Sequence, residues 1–324
     1  MNMKAIRSIA GILVVSAFIG LNLSAQTRND VIKVYNEGAK LMQSDIPGAI
    51  EAFENVVTIS EQVGETADDL KQKAMQVLPG LYFKVAYNNL NENKPAPEIL
   101  KAAKKAYASA DKYGSASNKE NAGKVMVQAD NTLANDYFAK NDYENALFTF
   151  DSLLVINPGY TTAIYNKALI YRTQSNADAY EETIDLFLEQ LGAGPDDDRA
   201  KQASSSALEY FRAAGSQANQ AENLDGALVL LNKAAKYGDD KDLFYFFADV
   251  YNKQKNFDAG IEYSQKGLAL ETGNAEAKAK FYYQLAVAQA GKGQTASACA
   301  SFRNALYGVF AEASKAQRAN LKCE

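Results

Sequence analysis

Residues 133–159 read LANDYFAKNDYENALFTFDSLLVINPG, and this stretch decides the architecture. Leu133, Tyr137 and Phe138 recur with the helical period rather than alternating as a strand would. Asn141-Asp142 breaks the pattern. A second apolar stripe then runs through Ala146, Phe150, Leu153 and Leu154. Asn157-Pro158-Gly159 stops it, because a residue before proline avoids the helical region and glycine accepts a left-handed cap. The unit is helix, tight turn, helix, stop.

The same unit recurs outward in both directions. Ala134 and Ala146 are 12 residues apart, as are Gly215 and Ala227, Ala248 and Gly260, and Ala286 and Ala298. A bulky residue follows the second small one each time: Phe150, Leu231, Tyr263 and Phe302. Looser copies run from Ala168 to Thr183 and Phe187, from Ala86 to Ile99, Ala103 and Ala106, and from Gly38 to Ala49 and Phe53. A small residue in each helix permits close crossing, and the bulky one fills the gap beside it. This spacing resembles the tetratricopeptide repeat. Val34, Tyr82, Phe211, Phe244 and Tyr282 stand where that family often has tryptophan, which this chain lacks.

The resemblance implies an all-α fold: a right-handed superhelical solenoid of about seven tetratricopeptide-like hairpins over residues 26–310, with a C-terminal capping helix or tail at 311–324. The first-helix small residues are separated by 48, 48, 34, 47, 33 and 38 positions. Three separations exceed the repeat by nearly four helical turns. The excess precedes Ala86, Ala134 and Gly215, where Ala67–Val77, Asn118–Val127 and Asp196–Ser206 read as helix, so lengthened or additional helices are expected there. Pro79 should kink such a helix or restart it.

Residues 1–25 read as a signal peptide. Lys4 and Arg7 precede an apolar run from Ile9 to Leu23 that ends in Ser24-Ala25. As a helix that run spans roughly 22 Å, short of the about 30 Å needed for a stable anchor. Cleavage is expected after Ala25. No cysteine lies near the cut, so a lipid anchor through an N-terminal cysteine is not expected, and the compartment reads as periplasmic or secreted. The formal charge is 34 − 39 = −5, and removing the leader makes it 32 − 39 = −7. That acidity argues against nucleic acid as a partner. An oxidising compartment permits a Cys299–Cys323 disulfide, provided Gly308 lets the chain fold back; two free thiols are the other reading.

The chain has no histidine, which excludes Ser-His-Asp and Cys-His nucleophiles and imidazole metal sites. Gly192-Ala193-Gly194-Pro195-Asp196-Asp197-Asp198 fits no phosphate or calcium loop and reads as a helix cap. Gly291-Lys292-Gly293 reads as a turn, and Glu181-Glu182 is no catalytic pair because neighbours on a helix diverge. No enzyme, cofactor or metal is expected.

The resemblance implies a groove lined by first helices, facing a protein or peptide. Its positions, about three before and one after each small residue and one turn beyond, are Tyr35, Phe83, Tyr87, Asn131, Asn135, Phe138, Tyr165, Arg172, Arg212, Asn219, Tyr245, Asp249, Asn252, Lys253 and Tyr283. Tyrosine offers flat apolar area with a hydroxyl, and asparagine both donates to and accepts from a peptide backbone. Roughly half of the tyrosines should pack in the core instead. The expected function is an exported scaffold of the Gram-negative envelope type, serving assembly or secretion. A cell-wall or glycan-binding repeat protein is the alternative, and self-association through an end repeat a further one.

Overall fold

The computed structural model describes residues 26–192 and 197–324. The expected leader at 1–25 lies outside the described residues, as do Ala193, Gly194, Pro195 and Asp196. Helices alone build the fold, and there is no strand among the described residues. Contacts divide the chain into two compact units, the first ending at Ala129 and the second spanning Asp130–Glu324.

In the first unit, α1 (Arg28–Leu41) pairs with α2 (Ile46–Val63), and α3 (Asp68–Asn91) with α4 (Ala96–Lys112). Helix α5 (Ala116–Ala139) contains the boundary. The second unit continues with α6 (Tyr143–Ile156), then α7 (Thr161–Thr173) with α8 (Ala177–Leu191), and α9 (Asp198–Gln220) with α10 (Leu224–Ala235). It ends with α11 (Lys241–Lys253) on α12 (Phe257–Leu270), α13 (Ala275–Gly291) on α14 (Thr295–Asn304), and α15 (Ala311–Asn320).

The small residues sit where close crossing requires them. Ala86, Ala134, Ala168, Ala248 and Ala286 are fully buried on first helices, and Ala146, Ala227 and Ala298 on second helices. A β-carbon at Gly215 would lie 2.7 Å from Leu231, the bulky residue of the same hairpin. Side chains one methyl larger would force the pairs apart. These are hairpins of tetratricopeptide type by their own packing.

The turns repeat one device. Asn93, Asn141, Ser175, Glu222, Lys255 and Gly293 end first helices in the left-handed region. In three turns the next residue is asparagine, whose N–H reaches five residues back: Asn176 to Tyr171 O at 2.9 Å, Asn223 to Ala218 O at 2.9 Å, and Asn256 to Tyr251 O at 2.8 Å. The same asparagines cap the next helix, accepting from Ala179, Gly226 and Ala259 N–H groups. One residue closes one helix and opens the next.

The three long separations are single lengthened helices, α3, α5 and α9. Helix α3 runs through Pro79 without restarting there. Buried Pro79 leaves one backbone acceptor a turn earlier without its N–H partner, while packing around Leu78 and Leu81 holds the helix. Asp197 caps α9 through the N–H groups of Arg199 and Ala200. No described helix is long and apolar enough to cross a membrane.

Candidate functional site

The first-helix face differs between the two units. In the first, α1 and α3 share a core and are joined by the Arg28–Asp69 ion pair, and beside that contact lies a cleft of about 600 Å³ lined by Ala39, Met42, Gln43, Gln76, Val77, Gly80, Leu81 and Lys84. Gly80 is in mid-helix, and a β-carbon there would meet nothing within 4 Å. Met42 supplies an adaptable apolar surface, the two glutamines donors and acceptors, and Lys84 an exposed charge.

The predicted residues of this unit lie outside that cleft's lining. Tyr35 packs edge-on against Phe53 at 5.3 Å between centroids. Phe83 and Tyr87 pair at 5.8 Å, with Tyr87 48% exposed. Of the lining residues of α3, Gln76 and Val77 belong to its extra turns, while Gly80, Leu81 and Lys84 stand beside Tyr82 and Phe83 at positions the groove frame does not select. The signal in the sequence was the 48-residue separation together with Pro79-Gly80 inside a helical stretch.

In the second unit the predicted polar residues meet one another. Asn219 on α9 donates to Asp249 on α11 at 2.6 Å, and Gln284 on α13 donates to the other oxygen of Asp249 at 2.8 Å. Lys253 donates to Asn219 Oδ1 at 2.8 Å and lies 3.3 Å from Asp249. Asn252 donates to both the backbone oxygen and the side-chain oxygen of Gln284, each at 2.9 Å. Three successive first helices are thus cross-linked by a continuous polar ladder. Asn219 and Asn252 are only 3% and 7% exposed.

The rest are engaged similarly. Asn135 donates to Asn131 O and accepts from Asn166, while Asn131 Oδ1 is buried without a hydrogen-bond partner. Arg172 donates to Ser206 Oγ at 2.7 Å, and Arg212 pairs with Asp240. Phe138 lies against Tyr143, Tyr165 against Phe187, and Tyr283 against both Phe302 and Phe310. Tyr245 packs beside Phe281 under Lys280; burial, and then the charge of Asp249, push its hydroxyl pKa up.

At the end of this unit, Cys299 and Cys323 are bonded, with α-carbons 5.5 Å apart. Arg318 spans the same corner, donating to Cys299 O and Glu324 O. Among the described residues no cluster of acids or cysteines is arranged to hold a metal.

No protein-family model matches this chain, and no curated protein does. Among solved structures, the MamA protein is 18% identical over 61% of this chain and 96% of its own, with a TM-score of 0.34. YrrB, described as a tetratricopeptide protein with an unusual peptide-binding site, is 18% identical over 58% of this chain and 91% of its own, at 0.35. A tetratricopeptide repeat protein from Parabacteroides merdae is 16% identical over 91% of this chain and 99% of its own, at 0.27.

Proposed function

We propose that the chain is an exported, non-enzymatic scaffold of tetratricopeptide type, which holds a protein or peptide partner during assembly or secretion at a Gram-negative envelope. Gly80 carries this reading. Glycine inside a helix costs about 1 kcal/mol relative to alanine, and no neighbour in the structure requires it. A missing side chain does let an outside backbone approach closely. Gly80 opens onto the α1/α3 cleft, where Gln43, Gln76 and Lys84 offer hydrogen bonds and Met42 an apolar contact. The polar ladder of the second unit supports the same division of labour: Asn219, Asp249, Asn252 and Gln284 bond to one another across α9, α11 and α13, while α1 and α3 are joined by Arg28 and Asp69 away from the cleft and Gln43, Gln76 and Lys84 are left to a ligand.

Gly80→Trp tests the site, since the indole would enter open space and fill the cleft. A partner recovered from envelope extract with the unaltered protein should be lost with this variant at unchanged melting temperature. Recovery undiminished by Gly80→Trp would reject the cleft. Export is tested separately by intact mass: cleavage after Ala25 gives a chain beginning at Gln26, and a chain retaining residues 1–25 would reject it.

A further inference from the structure

On the opposite side of the first unit is a second cleft, of about 380 Å³, enclosed by three helices and open to solvent along the fourth side. Its floor is Tyr82, Val85 and Asn89 of α3. One wall is α2, with Pro47, Ile50, Glu51 and Glu54; the other is α4, with Glu98, Lys101, Ala102 and Lys105. Lys101 and Lys105 are one turn apart and share the face turned to the cleft. Glu54 accepts a hydrogen bond from Tyr82. Among the described residues, Glu51, Glu98, Lys101 and Lys105 have no ion pair or side-chain hydrogen bond.

The second unit shows how such a helix pair behaves when closed. Across α8 and α10, Lys233 meets Asp178 at 2.5 Å and Glu181 at 2.9 Å, and Lys236 meets Glu181 and Asp185. Helices α2 and α4 carry a related complement, Glu51 and Glu54 on the earlier helix and Lys101 and Lys105 on the later, with Glu98 beside the lysines. There Glu51, Glu98, Lys101 and Lys105 stay unpaired on either side of a floor made of Tyr82, Val85 and Asn89.

We infer that this cleft is a docking site for an extended peptide segment of a partner, which places one large apolar side chain between a basic and an acidic residue. In an extended chain the two residues flanking a buried side chain lie about 3.3 Å to either side along the backbone, from where a long charged side chain can reach a rim. A segment crossing the cleft puts its central side chain onto Ile50, Val85 and Tyr82. Its neighbours then lie over the two rims, the basic one toward Glu51 and Glu54, the acidic one toward Lys101 and Lys105. The open fourth side suits a residue carried on a longer chain more than an enclosed small molecule, which is normally buried over most of its surface. This site is separate from the α1/α3 cleft, so Gly80→Trp should leave it unaffected.

The test is fluorescence anisotropy with labelled, end-blocked peptides Gly-Ser-X-Phe-Z-Ser-Gly. With Lys at X and Glu at Z, binding should saturate and be at least tenfold tighter than with Ser at both. Lys101→Glu with Lys105→Glu should reverse the preference at Z, weakening the Lys/Glu peptide and favouring Lys at both X and Z. Ala102→Trp should abolish binding of all of them. Equal affinity of the charged and uncharged peptides, no response to the charge reversal, or no saturable binding would overturn the proposal. Displacement of the peptide by free phenylalanine at equal concentration would also overturn it, in favour of a small zwitterion.

Discussion

The side-chain oxygen of Asn252 on α11 occupies the space a β-carbon of Gly260 on α12 would need, while its amide nitrogen donates to Gln284 on α13. One asparagine therefore sets both the closest crossing within its hairpin and the contact to the next. Gly260→Ala gains helix propensity of about 1 kcal/mol but pushes Asn252 off Gln284 and also crowds Ala288. Overpacking of this kind costs about 1–3 kcal/mol. Urea unfolding should show a lower midpoint; an unchanged or higher one would mean that Asn252 moves freely.

Gly80→Ala should do the reverse. No atom opposes the new methyl group, so propensity acts alone and stability should rise by about 0.5–1 kcal/mol. The same urea titration checks this, and a fall in the midpoint would show an unseen steric demand at that position.

Acid should weaken the α8–α10 contact. Burial alone would push the Glu181 carboxyl up, but hydrogen bonds from Lys233 and Lys236 outweigh it and hold the pKa below the ordinary value. A depressed carboxylate contributes stability that is fully present above its unfolded pKa, near about 4.3, and is lost as pH falls through the folded one. Melting temperature should therefore drop on acidification from about pH 5 to pH 3, and the drop should be shallower in Glu181→Gln. Parallel curves for the two proteins would remove Glu181 from the account.

The Cys299–Cys323 bond closes a 24-residue separation, for which chain entropy gives a stabilisation of about 3 kcal/mol. It holds α15 and Leu321 against the buried trio Ala286, Ala298 and Phe302. Reduction should make trypsin cut faster at Lys315 and Arg318 than elsewhere. Equal cleavage with and without reductant would show that packing alone secures this end.

The hairpins were legible because close helix crossing leaves little choice of residue. Ala134, Ala248, Ala286 and their partners 12 residues on are small for one geometric reason, and they are buried as that reason demands. The spacing called for lengthened or additional helices, and α3, α5 and α9 are the lengthened ones. The site was less legible. Asn219, Asp249 and Asn252 stand at positions that suit a ligand, and the sequence holds no sign that Gln284 and Lys253 will pair with them first. The α1/α3 cleft depends on Gly80 having open space around it; the sequence marks the place only by the long separation and Pro79-Gly80 within a helical stretch, and neither says that the space is empty. Pro79 illustrates the remaining gap: its missing N–H argues for a break, but tertiary packing carries the helix through.

Site-specific photocrosslinking in cells shows whether a partner occupies the α1/α3 cleft. A photoreactive residue at Gln76, inside the α1/α3 cleft, should give one defined crosslinked partner, absent when Gly80→Trp is added and absent for a probe at exposed Val155 on α6. A crosslink that survives Gly80→Trp, or one equally strong from Val155, would contradict a partner held in that cleft.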